Sequence, residues 1–118
     1  MAFRASYKYA HISPRKVRAL ANMIRGKYAD EALNLLRFQS QRGARMLEKV
    51  IHSALGSAQD PDQNRGRTVD VDNLLVTEAR VDGGPMVKRV QPRARGMAMM
   101  ILKRMSHIHI TLEVTDET

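Results

Sequence analysis

The chain has 118 residues, no cysteine, 43% hydrophobic residues and a formal net charge of +8, from twenty Lys and Arg against twelve Asp and Glu. That length holds one domain, the apolar content excludes global disorder, and the missing cysteine excludes disulfide frameworks and thiolate metal sites and suits a reducing compartment. An isoelectric point near 10.4 leaves nucleic acid or an anionic membrane as the partner to be expected.

Residues 2–11 are predicted as a first strand, with Phe3, Ala5, Tyr7 and Tyr9 alternating against Arg4, Ser6 and Lys8. In the following ISPRKVRALANMIRG, Ser13 is placed to cap a helix, Pro14 fits its first position, where the missing N–H removes no bond, and Gly26 stops it. Val17, Leu20, Ala21 and Ile24 recur at helical spacing as a core stripe, and Arg15, Arg18, Asn22 and Arg25 share the other face. With Lys16 and Lys27 added and no acid before Asp30, that face is expected to meet an anion. The first 29 residues resemble a transit peptide in being acid-free and Arg-rich, but a capped helix with a core face assigns them to the fold.

A second, short helix is predicted from Asp30 to Phe38, with Ala32, Leu33, Leu35 and Leu36 as its apolar contacts and acids at its start to complement the dipole. Ser40 opens the longest helix, from Gln41 to about Gln59. Its seam of Ala44, Leu47, Ile51, Ala54 and Ala58 suits close packing, and Arg42, Arg45 and Lys49 lie on its flank. Gln59 to Thr68 is a loop by its Pro, Gly, Asn and Asp content, and Thr115 to Thr118 is expected to fray.

The most unusual stretch is Gly83 to Leu112, thirty residues that contain Lys88, Arg89, Arg93, Arg95, Lys103 and Arg104 and no carboxylate. It is predicted as a long β-hairpin whose protruding part spans about 83–107. Leu75, Thr77, Ala79 and Val81 give its entering arm an apolar face against Glu78, Arg80 and Asp82; Ile108, Ile110, Leu112 and Val114 do the same on the way out against His107, His109, Thr111 and Glu113. Between the arms Met86 to Arg95 is too poor in large apolar residues to bury anything. A two-stranded ribbon without a packed face is marginal in water, so this tip is expected to be ordered by a polyanion. The predicted architecture is α+β: three helices packed on a small three-stranded antiparallel sheet, one domain over residues 1–118, with a long protruding β-hairpin.

Catalytic and metal chemistry find little support. His107 and His109 share a strand face but lack the third donor that a zinc site requires, His52 has no carboxylate at i+3 or i+4, and no nucleophile elbow, phosphate loop or paired-carboxylate arrangement occurs. Asp70 and Asp72 alternate at a loop exit, a place where acids face solvent. No enzyme activity, cofactor or metal is predicted. No run of eighteen apolar residues occurs to span a membrane, and the densest cations lie on strands rather than on an amphipathic helix, which favours nucleic acid. All five aromatics, Phe3, Tyr7, Tyr9, Tyr28 and Phe38, fall in the first third; stacking of single strands on aromatics is therefore less expected than reading of structured nucleic acid by phosphate contacts and shape.

At ISPRKVR, and again at GPMVKRVQPRARG followed by ILKRMSHI, the chain resembles the bacterial large-subunit ribosomal protein twenty-two family, from about residue 3 to residue 114. The resemblance implies a globular domain on the solvent side of the large subunit near the exit of the nascent-chain tunnel, and a hairpin that lines the tunnel wall close to macrolide sites. It further implies binding to large-subunit ribosomal RNA, neighbouring large-subunit proteins and the nascent polypeptide as partners, a part in early subunit assembly, and a cytoplasmic or organellar ribosome as the location. Carried over by position, the RNA-binding residues are Arg15, Lys16 and Arg18 in the first motif and Lys88, Arg89, Arg93, Arg95, Lys103, Arg104, Ser106 and His107 in the second. Met97 stands where the family commonly has Arg, and Met105 where it commonly has Thr, so RNA contacts through those two side chains are not expected. Composition alone equally allows a nucleic-acid chaperone or an architectural DNA binder, and a histidine-dependent ribonuclease would need a second acid/base group that the sequence does not place.

Overall fold

The computed structural model describes residues 2–59, 71–92 and 94–114; residues 60–68 of the expected loop, Asp70, Arg93 and the tail lie outside them. In chain order the elements are β1 (Ala2–Ala10), α1 (Pro14–Ile24), α2 (Ala29–Arg37), α3 (Arg42–Gln59), β2 (Leu74–Pro92) and β3 (Ala98–Val114), with short 3-10 turns at Val71–Asn73 and Ala94–Gly96. The sheet is antiparallel in the order β1-β3-β2. The predicted α+β architecture is the one observed, with each helix within two residues of its expected bounds.

The helices cover one face of the sheet. Rows of cross-strand partners share a face, and Phe3, Leu112 and Val76, then Ala5, Ile110 and Ala79, then Tyr7, Ile108 and Val81 point at the helices. Against them lie Val17, Leu20, Ala21 and Ile24 of α1 and the whole predicted seam of α3, all buried, together with Ile12, Ala29 and Val50. Gly43 lets α3 approach α1: a Cβ there would sit 3.2 Å from Leu20 and 3.3 Å from Val17.

Two bulges change which residues face the core. Between Val76 and Glu78 the register shifts, so Thr77 is the extra residue, and the buried side chains of entering β2 are Leu74 and Val76 rather than the expected Leu75 and Thr77. In β1 the shift falls between Tyr7 and Ala10; Tyr9 takes a left-handed φ of 60° and turns outward, and Ala10 occupies the core position instead. A bulge inserts one residue and so reverses the alternation beyond it.

Ser13 is the N-cap of α1 by position and backbone angle, but its side chain makes no capping bond. At the other end Gly26, with φ of 84°, turns the chain onto the outer edge of β2. Its N–H donates to the Val76 carbonyl at 2.9 Å, and the Val76 N–H donates to the Lys27 carbonyl at 2.8 Å. Farther along that edge Arg25 donates to the Ala79 carbonyl and Arg18 Nε to the Val81 carbonyl at 3.1 Å.

Beyond Gly83 the ladder continues without a layer beneath it. Strands β2 and β3 stay paired from Met86 and Arg104 to Pro92 and Ala98, and no described residue from Gly83 to Met105 is buried. A Cβ on Gly84 would lie 3.1 Å from the Met105 carbonyl oxygen, so glycine is what lets the strands close up where the register shifts. The molecule measures 68 × 28 × 16 Å with a radius of gyration of 17.7 Å, well above the roughly 13 to 14 Å of a compact chain of this length.

Candidate nucleic-acid interface

Where the ribbon leaves the globular part, a cleft of about 650 Å³ opens between the β1–α1 link, the first turn of α1, the start of α3 and β3. Its lining includes Arg15, Lys16, Arg42, Lys103 and Arg104 and no carboxylate. The fold thus joins the two motifs that carried the family resemblance, although almost ninety residues of chain separate Arg15 from Lys103.

The backbone adds to the same field. Arg15 and Lys16 stand in the first turn of α1, Arg42 is the first residue of α3, and neither first turn carries an acid. A helix N-terminus is the positive end of its dipole, and a cation there costs roughly what an anion would gain, about 0.3–1 kcal/mol each. Three cations at two positive helix ends form an arrangement that an anionic ligand relieves. Arg42 also donates to the His11 carbonyl, which fixes the floor of the cleft. Sequence reasoning placed Arg42 only on the flank of a helix; its part in the cleft depends on how α1 and α3 cross.

Along the ribbon the cations are divided between both faces. Lys88 pairs with Leu102 and Met86 with Arg104 on one side; Arg89 pairs with Ile101 and Val87 with Lys103 on the other. Arg95 is exposed at the tip, with a left-handed φ of 64°. A ribbon that faced an anion on one side only would segregate its cations, so this division fits a polyanion on both sides.

The remaining expected RNA-binding residues lie elsewhere or are otherwise engaged. Ser106 is fully buried and its Oγ donates to the Ile12 carbonyl at 2.6 Å, so in this structure its side chain ties β3 to the β1–α1 link. Arg18 is exposed, yet its Nε is committed to the edge of β2. The same holds for Arg25 on the helix face expected to meet an anion. His107 is half-buried. Its Nδ1 accepts the Tyr9 N–H at 3.0 Å and its ring meets Tyr9 edge to face at 4.9 Å, so the neutral ring carries its proton on Nε2. Arg93 lies outside the described residues.

Glu78 and Asp82, on the sheet face away from the helices, are neutralised locally. Arg80 bridges Glu78 at 3.3 Å and Asp82 at 3.2 Å, and His109 Nε2 lies 3.4 Å from Asp82 while its Nδ1 meets Ser6 Oγ at 2.9 Å. Among the described residues no cluster of three or more potential metal ligands occurs, and no helix is long and apolar enough to cross a membrane.

A helix-backed sheet whose two long strands run out as a bare cationic ribbon, with an acid-free cleft at its root, defines a basic protein built around an extended β-ribbon. The family model described as ribosomal protein L22p/L17e matches residues 5–113. The chain is 63% identical over 110 residues to the large ribosomal subunit protein uL22 of Rhodopirellula baltica, covering 93% of this chain and 92% of the relative. It is 50% identical to the protein of the same name from Maridesulfovibrio salexigens and 48% to that from Desulfotalea psychrophila, each over 113 residues that cover 96% of this chain and 98% of the relative. The chain belongs to the L22p/L17e family of ribosomal proteins.

Proposed function

We propose that this protein is a structural constituent of the large ribosomal subunit that holds large-subunit ribosomal RNA in the cleft at the ribbon's root and along both faces of the ribbon. The observation that carries this reading is the convergence of Arg15, Lys16, Arg42, Lys103 and Arg104 on a cleft without a carboxylate. Guanidinium forks and ammonium groups there neutralise phosphates, and the ribbon, two strands wide, threads between packed RNA helices that are too close to admit a globular domain. The globular part anchors on the subunit surface, with neighbouring ribosomal proteins as further partners. The ribbon reaches inward to line the nascent-chain exit tunnel, so that the emerging polypeptide passes along it. An RNA held at both the root and the ribbon brings distant RNA segments together, which gives the protein its part in early subunit assembly. The family resemblance supports the tunnel and assembly roles, and the two-faced charge of the ribbon supports the threading.

Binding to large-subunit ribosomal RNA as a function of salt tests the reading. Lys103→Ala with Arg104→Ala removes one cation from each face of the ribbon at the cleft without touching the core. The slope of log affinity against log salt is expected to fall by about 1.5, at somewhat under one unit for each phosphate no longer neutralised. An unchanged slope would remove the cleft from the interface. If the intact chain bound unrelated structured RNA equally well, and both complexes vanished together as salt rose, only a generic polycation would remain.

A further inference from the structure

Phe38 is the most exposed of the large apolar side chains among the described residues, at 86%. It sits where α2 ends, and the described rings include no partner for it. Its position is nevertheless held firmly. Arg45, one turn into α3, donates to the carbonyls of Leu36 at 2.9 Å, Arg37 at 3.2 Å and Gln39, and its other nitrogen bonds Glu48 at 2.6 Å. One guanidinium therefore fixes the backbone on both sides of the ring, and the ring itself is left in water.

We propose that Phe38 is a stacking platform for an unpaired base of the bound RNA, an inference that rests on the functional reading above. Its surroundings select that occupant. Exposed Arg37 precedes it, and Arg42, which lines the cationic cleft, follows four residues later, within about 14 Å of chain. A base on the ring would thus carry its flanking phosphates toward Arg37 and Arg42. An apolar protein surface would gain little from a single ring set between two arginines. The locked turn also means that binding there costs little ordering entropy.

The chain contains no tryptophan, so Phe38→Trp supplies a unique fluorophore at the site. With the intact protein and large-subunit ribosomal RNA, Phe38→Ala is expected to weaken binding about tenfold to a hundredfold, the range for loss of one stacked base, with the salt slope unchanged because every cation that meets a phosphate is still in place. Phe38→Leu should be as weak as Phe38→Ala. Phe38→Trp should bind like the unaltered chain, with its emission quenched by the RNA. Unaltered affinity in Phe38→Ala, or full affinity in Phe38→Leu, would overturn the stacking role while leaving RNA binding intact. Failure of the unaltered chain to prefer ribosomal RNA would instead overturn the functional reading and this inference with it.

Discussion

Strands β2 and β3 form one ladder with two differently supported halves. Toward the root, the residues from Leu74 to Val81 and from Ser106 to Leu112 alternate between the helix layer and the outer face, and the inward ones are buried. From Met86 to Pro92 and from Ala98 to Arg104 the backbone pairing persists but nothing covers either face, and Met86, Val90, Met97, Met100 and Leu102 are exposed. The same secondary structure is therefore stabilised by burial in one half, while the other half carries charge for a partner to neutralise. Hydrogen bonds alone add little net stability in water, so the outer half gains little from its own pairing, and under the proposed function the RNA is what orders it.

Mutations at equivalent places in the two halves should separate these roles. The largest effect on stability is expected at the root: Ile108→Ala, in a fully buried position at the sheet centre, should cost about 2–5 kcal/mol in urea unfolding. Ser106→Ala should cost about 1–3 kcal/mol, because the Ile12 carbonyl loses its buried donor. It should leave the salt slope of RNA binding where it was, which separates a structural serine from a phosphate ligand. Smallest of all, Val90→Ala, at an exposed site on the ribbon, should shift stability by less than about 0.5 kcal/mol. A loss at Val90 as large as at Ile108 would mean that the ribbon packs against something in the free chain and would erase the contrast.

The helices and the root of the hairpin were legible because periodicity is a local signal. Val17, Leu20, Ala21 and Ile24, and the seam from Ala44 to Ala58, could be named from spacing alone and are buried. Bulges defeat that method: at Thr77 and Tyr9 one additional residue exchanges the two faces, and nothing in a β-like run marks where the insertion falls. In the cleft, the cations of the two motifs were visible as residue types, but Arg42 and the meeting of both motifs depend on helix packing. Arg18 and Ser106 illustrate the reverse difficulty. An arginine on a polar helix face looks ready for a phosphate until a carbonyl on the neighbouring strand proves to be its partner, and a serine beside a histidine gives no sign that its hydroxyl is buried.

The treatment of the outer edge of β2 bears on the free chain. An open sheet rim invites a strand from another molecule, and a newly made basic chain with a bare ribbon is exposed to such self-association. Here Gly26 and Lys27 occupy both hydrogen-bonding groups of Val76, and Arg25 and Arg18 cover the carbonyls of Ala79 and Val81. The rim at the root is thus partly covered there, and the like charges along the ribbon repel a second copy farther out. The arginines of α1 thus close part of an open sheet edge as well as carrying charge, a device that works against edge-to-edge association.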